Sequence, residues 1–245
     1  MTQHISRAQI KYVTSLTQKK YRDLYGMFVA EGEKCIGELR DRFELELLFD
    51  RSNATEQELT HMSNLQHPQG MIAVFHKPEN MATPRAPQGL VLALDDVQDP
   101  GNLGTIIRTA DWFGVRDILC SRQTADCYAP KVVQATMGAL SRVRIHYVDL
   151  PQWLSTYPGP VYGTLLDGRN MYEAGAIVKH SELEKAKLPN LCEGVIVMGN
   201  EGNGISAAVR ELITKPLYIP AYSDDKVESL NVAIATAVVL AEFRR

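Results

Sequence analysis

The sequence predicts an α/β protein in which a small N-terminal domain precedes a larger domain built on a parallel sheet. Two features support this prediction. From Leu90 onward, short apolar runs rich in β-branched residues each precede a helical or glycine-rich segment, a pattern typical of parallel strands covered on both faces. Between Lys77 and Gly89, the proline-rich stretch KPENMATPRAPQG has almost no large apolar residue and therefore predicts a linker.

The smaller domain is predicted over residues 1–77 and the linker over residues 78–89. Basic helical segments come first, and a strand-to-helix step follows around residues 28–39. The segment ELELLFD then predicts a strand, TEQELTHMSNL a helix and GMIAVFHK a second strand. This alternation indicates a small α/β layer structure.

The larger domain is predicted over residues 90–245. Its strands are expected at LVLAL, DILC, RVRIHYV, VYGTLL, GVIVMG and LYIP. Ligands on parallel sheets bind at the carboxyl ends of the strands. Three polar or glycine-rich loops follow predicted strands at that edge, and we therefore expect the functional residues to lie in them.

The first of these loops, DDVQDPGNLG, precedes the helix LGTIIRTADWF, which ends at Gly114. Pro100 and Gly101 fit a tight bend, and we expect Asn102 to cap the helix. Arg108 follows Asn102 by six residues, about 600° on an α-helix, so it must lean back toward the strand ends to share a site with Asn102. The alternative is an arginine on an exposed helix face.

The second loop, VIVMGNEGNGIS, has three glycines that permit sharp turns, with Glu201 at its tip and Ser206 placed to cap the next helix. Its G-x-x-G-x-G spacing differs from the G-x-G-x-x-G dinucleotide fingerprint. In the third loop, Ser229 and Asn231 stand at the start of a long apolar helix, where backbone N–H groups can hold an anion. The alternative interpretation of Ser229 is that it is only a helix cap.

Composition excludes several classes of protein. The 245 residues, 45% hydrophobic, include no apolar run of 18 residues, and MTQHISRAQIK lacks the apolar core of a signal peptide, so we expect a cytoplasmic protein without a membrane segment. No CxxC spacing or histidine cluster predicts a metal site or a disulfide framework. We expect buried, reduced thiols at Cys35, Cys120, Cys127 and Cys192.

The net charge of −3 argues against general attraction to nucleic acids but leaves room for a local basic surface. Up to residue 22 the sequence has no acidic residue, and Tyr12 and Tyr21 lie among its basic residues. These basic residues are Arg7, Lys11, Lys19, Lys20 and Arg22. The segment is interpreted either as a phosphate-binding patch or as a solvated helix face.

Taken together, DPGNLGTIIRTADWFG, MGNEGNGIS and IP…SLNVA resemble, in order and spacing, the three signature motifs of the SpoU (TrmH) family of RNA ribose 2′-O-methyltransferases, within the SPOUT class. APKVVQATMGALSRVRI and GTLLDG are also similar to family segments, so the resemblance extends from Leu90 to the end of the chain. It implies a parallel-sheet α/β/α SPOUT domain with a deep trefoil knot, which composition and periodicity do not predict. It also implies a homodimer formed through this domain.

The resemblance assigns roles to particular residues. The catalytic positions fall on Arg108, Asn102, Glu201, Ser229 and Asn231. Backbone contacts to the cofactor S-adenosylmethionine fall on Thr164, Gly199, Ile219 and Leu230. No metal is implied. Many members have a serine where this chain has Ala233, and we expect that difference only to tune activity.

The N-terminal segment resembles the ribosomal-protein-like substrate-binding domain that many members carry. The matching positions are Phe28 and the E-G-x-K stretch from Glu31 to Lys34. This resemblance implies RNA binding without naming the RNA. Ribosomal RNA is favoured, and transfer RNA is the other option.

The expected function is S-adenosylmethionine-dependent methylation of a ribose 2′-hydroxyl in structured RNA. We expect Arg108 to orient an RNA phosphate and stabilise the developing alkoxide, with proton abstraction by Arg108 as the second option. The alternatives are a SPOUT enzyme that methylates a base, a non-catalytic RNA-binding or ribosome-assembly factor, and a Rossmann-type dehydrogenase. The intact set of catalytic positions argues against the first two, and the glycine order against the third.

Overall fold

The computed structural model describes residues 5–78, 89–173, 175–177, 194–222 and 229–245. The chain divides into two compact units. In the described part of the chain, the first unit contains residues 5–78 and 126–142, and the second contains residues 89–125 with those after 142. Residues 126–142 thus pack with the first unit although they lie within the predicted domain 90–245. Nearly all of the predicted linker falls outside the described residues.

The described elements follow in chain order. They are α1 Arg7–Ser15, α2 Lys19–Tyr25, β1 Met27–Glu31, α3 Glu33–Leu39, β2 Leu45–Asp50, α4 Glu56–Met62, β3 Met71–His76, β4 Leu90–Leu94, α5 Pro100–Trp112, β5 Asp117–Cys120, α6 Pro130–Thr136, the 3-10 turn Ala139–Ser141, β6 Arg144–Tyr147, α7 Leu150–Ser155, β7 Val161–Asn170, β8 Gly194–Met198, α8 Ala207–Arg210, β9 Lys215–Tyr218 and α9 Val232–Phe243. The predicted strand-to-helix step of the first unit is confirmed at β1 and α3, and the other predicted strands and helices each appear within a few residues of their expected bounds.

The first unit is built on a three-stranded antiparallel sheet in the order β1-β3-β2. The local sequence explains where its helices begin. Ser6 and Gln9 form a capping box at α1, and Thr55 and Glu58 form another at α4, so unpaired N–H groups at both starts are satisfied. Glu31 is not free for ligand binding, because its carboxylate accepts 2.6 Å hydrogen bonds from the Ser63 hydroxyl and the Asn64 backbone.

A buried ion pair fixes residues 126–142 in the first unit. Arg22 is only 3% exposed, and its guanidinium donates two hydrogen bonds to one carboxylate oxygen of Asp126, at 2.7 and 3.0 Å. It also donates to the carbonyls of Leu16 and Thr17. The placement of Arg22 in a phosphate-binding patch is therefore wrong, since its charge is buried and paired with Asp126.

The second unit is built on a six-stranded sheet in the order β6-β5-β4-β8-β7-β9, and every neighbouring pair is parallel. The predicted parallel sheet is therefore confirmed. Its central strands β4 and β8 are buried along their whole length, which explains their continuous apolar sequences. The trefoil knot stays a prediction.

Two expectations from composition concern thiols and membranes. Cys35, Cys120 and Cys127 are buried and form no disulfide within the described part of the chain, as predicted, whereas Cys192 lies outside the described residues. Burial raises the pKa of the Cys35 thiol to about 11, so this thiol stays protonated at neutral pH. Among the described helices, none combines the length and the apolar character that crossing a membrane requires.

Candidate active site

The three motif loops leave the sheet at the same edge. In the parallel pair of β4 and β8, Leu94 lies opposite Met198, so the chain leaves both strands side by side at Asp95 and Gly199. The third loop begins just after β9, at Ile219. All three therefore start at the carboxyl edge of the sheet, where ligands of parallel sheets bind.

The first helix of the site begins earlier than predicted. Its cap is Asp99, whose side chain accepts a 2.8 Å hydrogen bond from the backbone N–H of Asn102. Pro100 occupies the first helical position, where its missing N–H costs nothing. The expectation that Asn102 caps this helix is wrong, because Asn102 already lies inside the first turn. Its side chain is directed to partners in the other two loops.

Asn102 is the centre of a hydrogen-bond chain that joins all three loops. Its Nδ2 donates to Glu201 Oε1 of the second loop at 2.9 Å. Its Oδ1 accepts from Asn231 Nδ2 of the third loop, also at 2.9 Å. A single amide uses its donor and its acceptor at once, so moving one of these loops disturbs the other two. We call this arrangement the amide chain, Asn231–Asn102–Glu201.

Glu201 has further partners in the first loop. Its two carboxylate oxygens accept from the backbone N–H groups of Gln98 and Asp99, each at 3.4 Å. These are long hydrogen bonds, and together with Asn102 they hold the carboxylate beside the start of α5. A negative charge is favourable there because the N-terminus of a helix carries a partial positive charge.

The second loop is shaped by Asn200, a residue that the sequence interpretation missed. Asn200 Nδ2 donates to the Asp96 carbonyl at 2.7 Å, and its Oδ1 accepts from the N–H groups of Gly202 and Asn203 at 2.9 and 3.0 Å. Asparagine commonly bonds its own backbone two residues on, so its place in a glycine-rich turn was the available signal. Asp96 has φ of 60°, a conformation that few residues other than glycine adopt.

Gly199 is required by the loop itself. A Cβ at this position would lie 2.3 Å from the Gly204 carbonyl carbon and 2.4 Å from the Ile205 nitrogen, so only glycine fits without a shift of backbone. Ser206 stands at the N-cap position of α8, as predicted, but its hydroxyl makes no capping bond. Instead its backbone N–H donates to the buried Asp95 carboxylate at 2.7 Å.

The third loop positions Asn231 and leaves Ser229 exposed. Asn231 caps α9, since its Oδ1 accepts from the N–H groups of Ala233 and Ile234 at 2.9 and 3.3 Å. The alternative interpretation of Ser229 as the cap is therefore wrong. Ser229 lies two residues earlier with an exposed side chain.

Arg108 is not joined to the amide chain. Its side chain is exposed on α5 and makes no hydrogen bond or ion pair with another described residue. The structure therefore brings Asn102, Glu201 and Asn231 together and leaves Arg108 and Ser229 with exposed polar ends.

The residues expected to bind S-adenosylmethionine fit a nucleoside-like group. Thr164, Gly199 and Ile219 lie on or just after β7, β8 and β9, which are neighbours in the sheet. Thr164 Oγ1 donates to the Val197 carbonyl at 3.4 Å, and Leu230, directly before Asn231, is 48% exposed. Half-buried main-chain groups on neighbouring strands, with an exposed aliphatic side chain in the third loop, suit a ring with polar edges and apolar faces.

Two family models match most of the chain. The SpoU rRNA Methylase family matches residues 89–241, and the MRM3-like substrate binding domain matches residues 7–58. The chain belongs to the SpoU rRNA methylase family. The family match includes all three motif loops and therefore every residue of the amide chain.

Similar proteins cover nearly the full length of this SpoU-family chain. The 23S rRNA (guanosine(2553)-2′-O)-methyltransferase RlmP of Bacillus subtilis (strain 168) is 30% identical over 96% of this chain and 96% of its own. Among solved structures, a TrmH-family protein from Porphyromonas gingivalis has a TM-score of 0.84 and 39% identity, covering 98% of each chain. An AdoMet-bound rRNA methyltransferase from Sinorhizobium meliloti has a TM-score of 0.79 and 28% identity, covering 98% of this chain and 97% of its own.

Proposed function

We propose that this protein transfers a methyl group from S-adenosylmethionine to a ribose 2′-hydroxyl of ribosomal RNA. The observation that carries the proposal is the amide chain, which joins the three family motifs at one edge of the sheet. The name of the B. subtilis relative and the AdoMet bound by the S. meliloti structure support the substrate and the cofactor.

The cofactor supplies an electrophilic methyl group on a positively charged sulfur. Main-chain groups at Thr164, Gly199, Ile219 and Leu230 would hold it at the carboxyl edge. Methyl transfer needs its reacting atoms in line, and holding reactants in that way is worth about 7–11 kcal/mol in favourable cases. Loops tied to one another by side-chain hydrogen bonds provide that rigidity.

Arg108 acts on the RNA rather than on the protein. A ribose hydroxyl is a poor nucleophile until it loses its proton, and an arginine side chain is protonated throughout the working pH range. We therefore assign Arg108 the role of orienting a phosphate and stabilising the developing alkoxide. Its exposed position, without an ion pair to another described residue, leaves the guanidinium available for this contact. Proton abstraction by Arg108 is the less favoured role.

Glu201 is a positioning residue in this mechanism. Its carboxylate already accepts hydrogen bonds from Asn102, Gln98 and Asp99, and taking up a proton would weaken all of them. Asn102 and Asn231 transmit its position to the third loop. Ser229, exposed in that loop, would be available to contact the ribose.

A homodimer formed through the second unit is part of the proposal. Helices α5 and α9 pack against each other, and they carry exposed apolar side chains at Trp112 and Ile234, which are 86% and 54% exposed. A second copy of the chain would bury these side chains. The cytoplasmic location stays a prediction.

The deciding experiment uses purified protein, S-adenosylmethionine labelled in its methyl group and total RNA from cells that lack this gene. Labelled RNA is separated by size and digested to nucleosides. A 2′-O-methylated nucleoside from ribosomal RNA, absent with Arg108→Ala, supports the proposal. A label in transfer RNA would change the substrate, a methylated base would exclude ribose methylation, and no label despite cofactor binding would favour an assembly factor.

A further inference from the structure

The outer face of α2 carries aromatic, aliphatic and cationic side chains together. Residues four apart lie on the same side of an α-helix. Tyr21 therefore lies above Tyr25, and Lys20 lies above Leu24, while Arg22 turns to the buried side. Leu24 is 69% exposed and Tyr25 45% exposed. We call the surface formed by Lys20, Tyr21, Leu24 and Tyr25 the tyrosine face.

The rings of this face are held in place by one another. The ring of Tyr25 is nearly parallel to that of Tyr21, at 11°, with centroids 6.2 Å apart. Its other neighbour, Tyr12 of α1, meets it edge-on at 5.2 Å. Tyr12 is half-buried and packs against the core of the first unit. Tyr25 is thus an exposed ring on a rigid aromatic support.

The charges around the face favour an anionic partner. Lys20 Nζ lies 4.7 Å from the centre of the Tyr21 ring, and Lys20, Arg7 and Lys11 are exposed with no ion pair to another described residue. The acid within α2, Asp23, is already paired with Lys19 and Lys77, at 2.6 and 2.7 Å.

A second described acid near these rings, Glu46, also has a hydrogen-bond partner. Glu46 lies close enough to Tyr12 to raise the pKa of that phenol, after burial as the main cause. Its carboxylate is 3.0 Å from His76 Nε2. Positive charge that is not balanced by these acids therefore remains beside the exposed rings.

We propose that the tyrosine face binds unpaired nucleotides of the RNA substrate, with a base stacked on Tyr25 and Lys20 contacting a phosphate. The inference rests on the proposed function. It adds which surface of the protein contacts the RNA and that the contacted nucleotides are unpaired. Bases in a duplex are stacked on each other and present no free face, whereas unpaired bases stack readily on aromatic side chains. Exposed rings beside unneutralised cations match that ligand better than they match a protein surface.

The test measures binding of RNA to the full-length chain without cofactor, by fluorescence anisotropy. The probes are a fluorescein-labelled single-stranded RNA of mixed sequence and the fully paired duplex of the same sequence. Tyr25→Leu keeps an apolar side chain but removes the ring. We expect it to weaken single-strand binding by about 5- to 150-fold, because stacking one base contributes about 1–3 kcal/mol and 1.4 kcal/mol is tenfold.

Two controls separate stacking from other effects. Tyr25→Phe retains the ring and should retain wild-type affinity for the single strand. Tyr172→Leu removes a tyrosine of matched exposure, 47%, from the second unit and should also leave binding unchanged. Thermal unfolding of each variant shows whether the fold is retained, as expected for exposed positions.

Wild-type affinity of Tyr25→Leu for the single strand would overturn the inference and leave the face to a protein partner. An equal loss for the duplex would overturn it as well, because stacking on an unpaired base would not explain that loss. The assay involves no turnover, so its result is independent of catalysis. If methyl transfer is absent but the binding pattern is as expected, the proposed function fails and the RNA-binding face stands.

Discussion

Two polar clusters lie at opposite edges of the same parallel sheet. At the amino edge, Asp117, the first residue of β5, accepts hydrogen bonds from Arg144 at 2.7 and 2.6 Å and contacts His146 Nε2 at 2.9 Å. The side chains of Asp117 and His146 are 3% and 2% exposed. At the carboxyl edge, the amide chain is made largely of neutral groups, and its hydrogen bonds are exposed.

The difference shows which cluster holds the fold and which is available to ligands. Burying a carboxylate without its partners is strongly unfavourable. The role of the cluster at Asp117 is therefore to stabilise the fold. An exposed hydrogen bond adds only about 1 kcal/mol or less, since water replaces either partner. The amide chain therefore has little value for stability. We expect variants at the carboxyl edge to lose activity and variants at the amino edge to lose stability.

The largest expected effect is on activity, at Arg108. Arg108→Ala should lower methyl transfer by on the order of 10²–10³-fold, the typical cost of removing one group that stabilises developing negative charge. The free energy of unfolding should change by less than about 0.5 kcal/mol, because the side chain is exposed. Single-turnover methylation and chemical denaturation measure the two quantities.

Arg108→Lys sharpens this test. Lysine keeps the charge but lacks the planar fork that contacts a phosphate through two donors. We expect most of the activity to be lost in this variant also. Near wild-type turnover with lysine would contradict a two-donor contact, and a clear loss of stability in Arg108→Ala would contradict the division between the two edges.

The second effect is on stability, at Asp117. Asp117→Ala leaves the buried His146 side chain and Arg144 without their carboxylate, and should lower the free energy of unfolding by roughly 2–4 kcal/mol. Activity per folded molecule should be unchanged. The matched control is Glu173→Ala, which removes an ion pair with Arg169 whose partners are 55% and 52% exposed, and exposed pairs contribute little. Equal destabilisation by both variants would contradict the importance of burial.

Much of the second unit could be predicted from sequence because its signals are local. Six apolar runs located the strands, and the carboxyl-edge rule placed the motif loops together. The cap of α5 was mispredicted because Asp99 and Asn102 are both good capping residues three positions apart. The proline after Asp99 was the signal that should have decided it.

Long-range pairings were out of reach of the same reasoning. Arg22 looked like one more cation of a basic segment, and its partner Asp126 is 104 residues away in sequence. The amide chain likewise joins residues separated by 99 and 129 positions. Sequence motifs named its members, but only the folded chain shows that Asn102 bonds both of the others while Arg108 bonds neither.

The third prediction uses pH to separate the two edges. Burial raises the pKa of Asp117, but hydrogen bonds and charges from His146 and Arg144 outweigh it and lower the pKa from the ordinary 3.8 to about 2. The folded state then binds this proton less tightly than the unfolded state. The stabilisation is present above about pH 4 and is lost as pH falls toward 2, on the order of 2 kcal/mol at 1.36 kcal/mol per pKa unit.

Chemical denaturation at a series of pH values measures this loss. Asp117→Asn should show a flatter stability profile than the wild type in that window, since it has no carboxylate to protonate there. Other acids that the two proteins share cancel in the difference. Parallel profiles for the two proteins would show that His146 and Arg144 do not lower the pKa of Asp117 in the way their geometry indicates.

The smallest expected effect tests whether the carboxyl edge needs its loops tied together. Asn200→Ala removes the bond to the Asp96 carbonyl and two bonds within the second loop. We expect methyl transfer to fall by about tenfold, or 1.4 kcal/mol of barrier, because Glu201 is no longer held beside Asn102. The free energy of unfolding should fall by only about 1 kcal/mol.

Asn203→Ala is the matched control, because Asn203 joins this network through its backbone N–H, which alanine retains. A loss of several kcal/mol in the free energy of unfolding, with unchanged methyl transfer, would show that Asn200 stabilises the fold as Asp117 does. The two edges would then differ in exposure, but both would serve stability rather than activity.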